Sequence, residues 1–197
     1  MDEPTRDKII ESSRLLFASD GVANVTISRI AKHAGVGRRT IYMYFASKDS
    51  LYDEVVAYEV DLIYTKIKEA YEETIHCSTD KVIREYYYSR FYAFKDLIQR
   101  NASIRSDFLN DPLRIKSIRK NFDFDEKCLL EQLVKREIKT SSSTSESIIK
   151  SLTTLIHIIA VGLEVPHINL NFDSSCDAVL DECVEMITEY IYKKSKS

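Results

Sequence analysis

Tryptophan is absent from this 197-residue chain, and glycine and proline are scarce, at four and three residues. So few breakers exclude collagen-like and low-complexity architectures and leave room for long helices with short connections. No run of about 18 apolar residues occurs, so no segment reads as a membrane span. Cysteine is thinly spread: Cys77, Cys128, Cys176 and Cys183 form no C-x-x-C pair and have no histidine at finger spacing. That pattern argues against a zinc finger or a disulfide framework. Cys176 and Cys183 stand seven residues apart, on one helical face, as core packing would place them; oxidation sensing is the alternative. His33, His76, His157 and His167 also lack ligand spacing, so neither a metal nor a cofactor is expected. His157 falls in an apolar helix, where a hydrogen-bonded core or interface histidine fits best. There is no nucleophile elbow and no phosphate loop, so no catalytic residues are expected. A dominant charge is missing too, the formal net charge being −3.

What the chain does have is concentrated between residues 21 and 48. Thr26 is placed to cap a short helix, its hydroxyl accepting from a free backbone N–H one turn in. Ile27, Ile30, Ala31 and Ala34 follow at i, i+3, i+4 and i+7 as one apolar stripe, with Arg29, Lys32 and His33 opposite. The small Ala31 and Ala34 let a second helix approach closely. Gly35 ends the first helix, because the residue after a helix commonly takes positive φ. Val36 then plugs the gap between the two helices. Gly37 opens a second helix in which Ile41 and Phe45, four apart, face inward. Arg38, Arg39, Thr40, Tyr42, Met43 and Tyr44 are left for the outer and lateral faces.

Two short helices about a glycine turn describe a helix-turn-helix, which seats its second helix in the major groove. Arginine bonds bidentately to guanine, and Thr and Tyr hydroxyls reach phosphates. Lys48, just past the second helix, is placed to reach the duplex backbone. From Gly21 to Lys48 there are five Lys and Arg residues and no Asp or Glu. A basic patch on a slightly acidic protein is the footprint of a DNA contact face. The candidate DNA-binding residues are Thr26, Gly37, Arg38, Arg39, Thr40, Tyr42, Tyr44 and Lys48.

This stretch resembles the N-terminal domain of the TetR family of bacterial transcriptional regulators. The matching elements are Ile10, Leu16-Phe17 and Gly21, then Thr26-Ile27, Ile30-Ala31 and Ala34-Gly35-Val36. Thr40-Ile41-Tyr42-Met43-Tyr44-Phe45, Ser47-Lys48-Asp49 and Leu51 complete them. Two positions depart from the family pattern. Gly37 stands where a serine-like cap is usual, and Arg39 where glycine is frequent. Glycine caps at a cost of a few tenths of a kcal/mol, while the Arg38-Arg39 pair points to a shifted operator preference. The resemblance implies an all-α protein with a three-helix DNA-binding head and a larger helical ligand-binding and dimerisation body. The division expected is 1–48 for the head and 49–197 for the body.

Along the remainder, a first helix is expected from Asp2 to Ser19, with Ile9, Ile10, Leu16 and Phe17 inward and Asp20-Gly21 closing it. Ser47 is the expected N-cap of a helix from Leu51 to about Ile75, with Leu51, Val55, Tyr58, Leu62 and Ile63 near one face. The resemblance makes this helix the tie between head and body. Thr79-Asp80 caps a helix from about Lys81 to Gln99 that carries Tyr86-Tyr87-Tyr88, Phe91, Tyr92 and Phe94. These aromatics read equally as packing or as a pocket for a flat or cationic organic molecule; Tyr58, Tyr87, Phe91 and Phe94 are the pocket candidates. After Asn110-Asp111-Pro112, one or two helices run to Lys139, with a break near Asn121 to Asp125. Thr140 to Ser145 reads as a flexible polar connection. Ser147 to Val165 is strongly apolar and ends at Pro166. A loop around His167 to Phe172 leads to a last helix beginning at Ser174 or Ser175, closed by Lys193-Lys194 in keeping with the helix dipole.

Those last two helices carry more apolar surface than one small bundle covers, and in the resembling family they pair across a dimer. Ile148, Leu152, Leu155, Ile159, Val179, Cys183 and Met186 are the candidate interface residues. The expected function is a sequence-specific, ligand-responsive homodimeric repressor on a palindromic DNA operator. An activator of the same fold is the alternative, with a helical carrier or enzyme a remote third. The expected partners are double-stranded DNA, a second copy of the chain and a small-molecule effector, with no membrane. Met1-Asp2-Glu3 does not read as the start of a signal peptide, so a cytoplasmic location is expected.

Overall fold

A computed structural model describes residues 3–138, 143–164 and 176–195, and every secondary-structure element among them is helical. In chain order these are α1 (Glu3–Asp20), a short 3₁₀ turn (Val22–Asn24), α2 (Ile27–Ala34), α3 (Arg38–Tyr44) and α4 (Lys48–Thr74). They continue with α5 (Thr79–Arg100), α6 (Ala102–Asn110), α7 (Pro112–Ile118), α8 (Lys120–Glu137), α9 (Ser143–Gly162) and α10 (Cys176–Ser195). No helix among the described residues is long and apolar enough to cross a membrane.

The chain clusters into two compact units, residues 1–62 with 96–120, and residues 63–95 with 121–197. The first turns of α4 bury Leu51, Tyr52, Val55 and Val56, and apolar burial assigns them to the first unit along with α6 and α7.

In the first unit, α1 turns Ile9, Ile10, Leu16 and Phe17 inward, where they join Ile30, Ala34, Ile41 and Leu51. Glu59 on α4 is fully buried and ion-paired to Arg14 of α1 at 3.5 Å. The Arg100 guanidinium, at the end of α5, grips the same carboxylate with both terminal nitrogens. A buried carboxylate is tolerable only with such partners.

The α4 start follows the expected cap. The Ser50 amide donates to Ser47 Oγ at 3.0 Å, and the Ser47 amide donates to Ser50 Oγ at 3.0 Å. This reciprocal pairing satisfies two free donors at once, as in a capping box. Two further caps were not singled out from the pattern. Asn101 accepts from the Ile104 amide at 3.1 Å to begin α6, and Asp111 accepts from the Arg114 amide at 3.2 Å to begin α7, with Pro112 at its first turn.

Two expectations are corrected. The break expected near Asn121 to Asp125 lies instead at Arg119, where φ −84° and ψ 10° end α7. Helix α8 runs straight through 121–125, because Phe122 and Glu126 are both buried on its inner face, one turn apart. The polar stretch at Thr140 to Ser145 is partly helical, since α9 begins at Ser143; residues 139–142 lie outside the described residues. Pro166, the loop at His167 to Phe172 and the start at Ser174 or Ser175 lie outside them too.

Candidate nucleic-acid interface

The reading head is built from local chemistry. Thr26 Oγ1 accepts from the Arg29 amide at 3.3 Å and caps α2. Ile30, Ala31 and Ala34 are buried, while Lys32 and His33 on the other side are exposed. Gly35 sits at φ 65°, ψ 33°, and the Val36 amide donates back to the Ala31 carbonyl at 3.0 Å. That left-handed residue with its backward bond closes the helix in the manner of a Schellman motif. Only glycine takes this conformation without a Cβ penalty.

Gly37 then caps α3 in extended backbone without a side-chain bond. Ile41 and Phe45 are buried, and the opposite faces carry the side chains named from the pattern. Arg38, Arg39, Tyr42 and Met43 are exposed, and Thr40 and Tyr44 are half-buried. Tyr42 and Met43 are 55% and 62% exposed, a large apolar-edged surface on a seven-residue helix. Arg38 Nη1 lies 3.5 Å from Ser28 Oγ, a long bond to the neighbouring helix.

The local charge is smaller than the sequence count implies. Arg29 is ion-paired to Asp20 at 2.5 Å, which offsets one of the five cations. Lys48 is half-buried, with its ammonium donating to the carbonyls of Val22 at 2.9 Å and Val25 at 3.2 Å. It therefore ties the start of α4 to the segment entering α2. An ammonium has three donors, so one remains for a phosphate. Sequence reasoning gave Lys48 the duplex alone, because nothing local shows carbonyls 23 and 26 residues upstream.

The candidate pocket residues are split. Tyr87, Phe91 and Phe94 line one cavity together with Arg90, Ala160, Leu163 and Glu164, but its room is only about 10 Å³. That is no more than one water needs, so this form of the protein holds no space for an organic ligand there. Tyr58 is 38% exposed and does not line that cavity. The α5 hydroxyls are satisfied within the fold. Tyr87 donates to the Ile156 carbonyl at 2.9 Å, Tyr86 to Glu126 at 3.0 Å and Tyr88 to Asp181 at 2.8 Å.

Beneath the cavity lies a buried polar network. Arg90 Nε donates to Glu126 Oε1 at 2.6 Å, Nη2 stands 2.7 Å from Glu164, and His157 Nδ1 lies 2.9 Å from Glu126 Oε2. Burial alone would push the Glu126 carboxyl up, but Arg90 and His157 outweigh it and hold it down at about 2. The same two carboxylates keep the Arg90 guanidinium protonated against its own burial. Asp123, Glu126 and His157 bring three donor atoms within 4.8 Å of one another. Glu126 is already taken by Arg90, Tyr86 and His157, and the guanidinium beside it repels a cation, so the cluster is an ion-pair network.

On α9 and α10, Leu152 is buried at 2%, whereas Leu155 at 42%, Val179 at 37% and Met186 at 56% are exposed. Ile148, Ile159 and Cys183 are half-buried. Ile158 and Tyr190, not named from the pattern, add exposed apolar area at 60% and 43%. A groove of about 460 Å³ runs along this surface between Leu152, Leu155, Ile159, Met186 and Tyr190. All four cysteines are free.

Residues 9–55 match the family model for bacterial regulatory proteins of the tetR family. An HTH-type transcriptional regulator of Staphylococcus aureus (strain MRSA252) is 27% identical over 149 residues, covering 60% of this chain and 80% of the relative. Another from S. aureus (strain USA300) is 36% identical over 64 residues, 32% of this chain and 35% of the relative. The crystal structure of a transcriptional regulator from Cytophaga hutchinsonii superposes with a TM-score of 0.62 at 22% identity, over 95% of this chain and 96% of that one. A TetR-family regulator from Streptomyces coelicolor gives 0.61 at 15% identity, again over 95% and 96%. The structural likenesses establish the fold across nearly the whole chain, while the family match rests on the head built around Gly35. Residues 9–55 thus carry a DNA-binding head of the TetR-family type, which together with the fold supports a TetR-family regulator.

Proposed function

We propose that this DNA-binding regulator is a homodimeric repressor that grips a palindromic operator and lets go when a small molecule binds its body. The observation that carries the reading is α3. It is a short helix whose inner face is locked by Ile41 and Phe45, and whose outer side offers Arg38, Arg39 and Tyr42 to solvent. Thr26, Gly37, Thr40 and Tyr44 complete the contact surface, and the third N–H of Lys48 adds a phosphate contact. Two such heads, related by two-fold symmetry, match a palindrome with half-sites one helical turn apart.

The exposed Leu155, Val179 and Met186 support pairing through α9 and α10, in which α9–α10 of two chains form one four-helix bundle. Effector release follows from linkage: a ligand favouring one conformation of the body competes with an operator favouring the other. The cavity beside Tyr87, Phe91 and Phe94 is the place for that ligand, and its closed state here is the form that must open.

Fluorescence anisotropy against the DNA flanking the protein's own gene tests the reading. Saturable binding is expected, weakened by about 1–3 kcal/mol in Arg39→Ala if this residue reads a base edge. Binding no tighter than to random duplex would overturn the assignment.

A further inference from the structure

In the second unit, the cavity walled by Tyr87, Phe91, Phe94 and Leu163 ends on two opposite charges, Arg90 and Glu164. These two carry the polar character of its described wall, because the Tyr87 hydroxyl is spent on the Ile156 carbonyl. Arg90 is 3% exposed. Its Nε donates to Glu126 and its Nη1 to the Ala160 carbonyl at 2.8 Å. Its Nη2 has no acceptor at hydrogen-bonding geometry. The Glu164 carboxylate, 2.7 Å from Nη2, supplies charge there without alignment. A buried guanidinium nitrogen in this condition is suited to an acceptor that can orient itself.

The two carboxylates on Arg90 are held differently. Glu126 lies within α8, is fully buried and is bonded by Tyr86 and His157 as well. Glu164 stands two residues past the end of α9, in a turn whose amide donates to the Val161 carbonyl at 3.1 Å. It can leave Arg90 without breaking a helix, and Glu126 cannot. With Glu164 in place the cavity has room of only about 10 Å³, so this side chain and a ligand are alternative occupants.

We propose that the ligand of this cavity is an apolar monocarboxylate, whose carboxylate replaces that of Glu164 on Arg90 while its body lies against Phe91 and Phe94. This rests on the reading that a small molecule binds beside these rings, and adds the ligand's charge and its polar anchor. Exchanging one carboxylate for another leaves the buried guanidinium paired throughout. A cationic ligand would draw Glu164 away, strip Arg90 of a partner and sit beside a like charge. Both effects are costly in a buried site. Glu164 is thus an internal stand-in for the ligand's acid group.

Calorimetric titration of the full-length protein with 2-naphthoate and with decanoate, without DNA, tests this apart from any operator result. Saturable binding of at least one, with a Kd below about 1 mM, is expected. The matching alcohol and primary ammonium ion should bind at least about tenfold more weakly. Glu164→Gln removes the internal competitor and should tighten carboxylate binding severalfold, where a cation site would lose affinity. Arg90→Gln should abolish saturation. Because Glu164 lies outside the helices, its variant keeps the test valid even if Arg90→Gln disturbs the fold. Absence of saturation by roughly 10 mM with both acids, or binding left unchanged or weakened by Glu164→Gln, overturns the proposal. Tighter binding of the ammonium ion overturns the carboxylate but leaves a small-molecule site standing. Failure of the repressor reading would show instead in the operator measurement.

Discussion

Lys48 serves the fold at a position that the proposed function also gives a phosphate contact. Its ammonium holds two carbonyls of the segment preceding α2, which fixes where α2 begins relative to α4. Hydrogen bonds to a charged donor contribute about 1.5–3 kcal/mol each when removal leaves acceptors unmet. Lys48→Met should therefore lower the unfolding free energy by about 2 kcal/mol, read by urea denaturation, in addition to weakening DNA binding. A variant that binds DNA poorly at unchanged stability would leave Lys48 with the phosphate role alone. The caps at Thr26 and Ser47 and the stop at Gly35 were legible in the sequence because each acts within a few residues of itself. The Lys48 carbonyls and the Arg29–Asp20 pair were not, since a bare charge pattern does not show which cation has a partner.

At the scale of elements, α5, α8 and α9 meet around Glu126, and their cohesion depends on that carboxylate being ionised. Its folded value, about 2, lies below the ordinary 4.5. Its contribution is therefore fully present above about pH 5 and is lost as pH falls through about 2. Stability followed by circular dichroism should drop across that acid window, and the drop should shrink in Glu126→Gln combined with Arg90→Met. An identical acid profile in the double variant would remove Glu126 from the linkage.

The same elements show what periodicity hides. The aromatic density of α5 was visible, but not that Tyr86 and Tyr88, two residues apart, hydrogen-bond to different helices, α8 and α10. The α7–α8 break was misplaced because 121–125 is polar in composition, yet Phe122 and Glu126 are held inward by tertiary partners. For α9 and α10, the interface proposal predicts that Leu155→Glu, a charge placed on an exposed apolar site, gives monomers in light scattering. Dimers that persist would move the interface to another face.

On the scale of the whole molecule, the sequence pattern identified the reading head and the helical class, because both follow from spacing. It gave no sign that residues 96–120 cluster with 1–62. That association is made by burial between segments distant in the chain, among them Ile104 and Leu97, both fully buried. The proposed dimer makes a geometric prediction. Two chains should bind each operator in sedimentation measurements, and inserting about half a helical turn, roughly 5 base pairs, between half-sites should abolish tight binding. Tight binding that tolerates the insertion would mean heads that act independently.

Helix α4 runs 27 residues from Lys48 to Thr74 and includes neither glycine nor proline. At 1.5 Å per residue it is a rod about 40 Å long, and rods of this kind curve gently instead of folding at a joint. Tilting one end by about 5° carries the other through roughly 3.5 Å by the same geometry, close to the rise of one base pair. In the proposed repressor, the chain's poverty in helix breakers would act as mechanical gearing, turning a small rotation at one end of α4 into an error of about one base pair at the other.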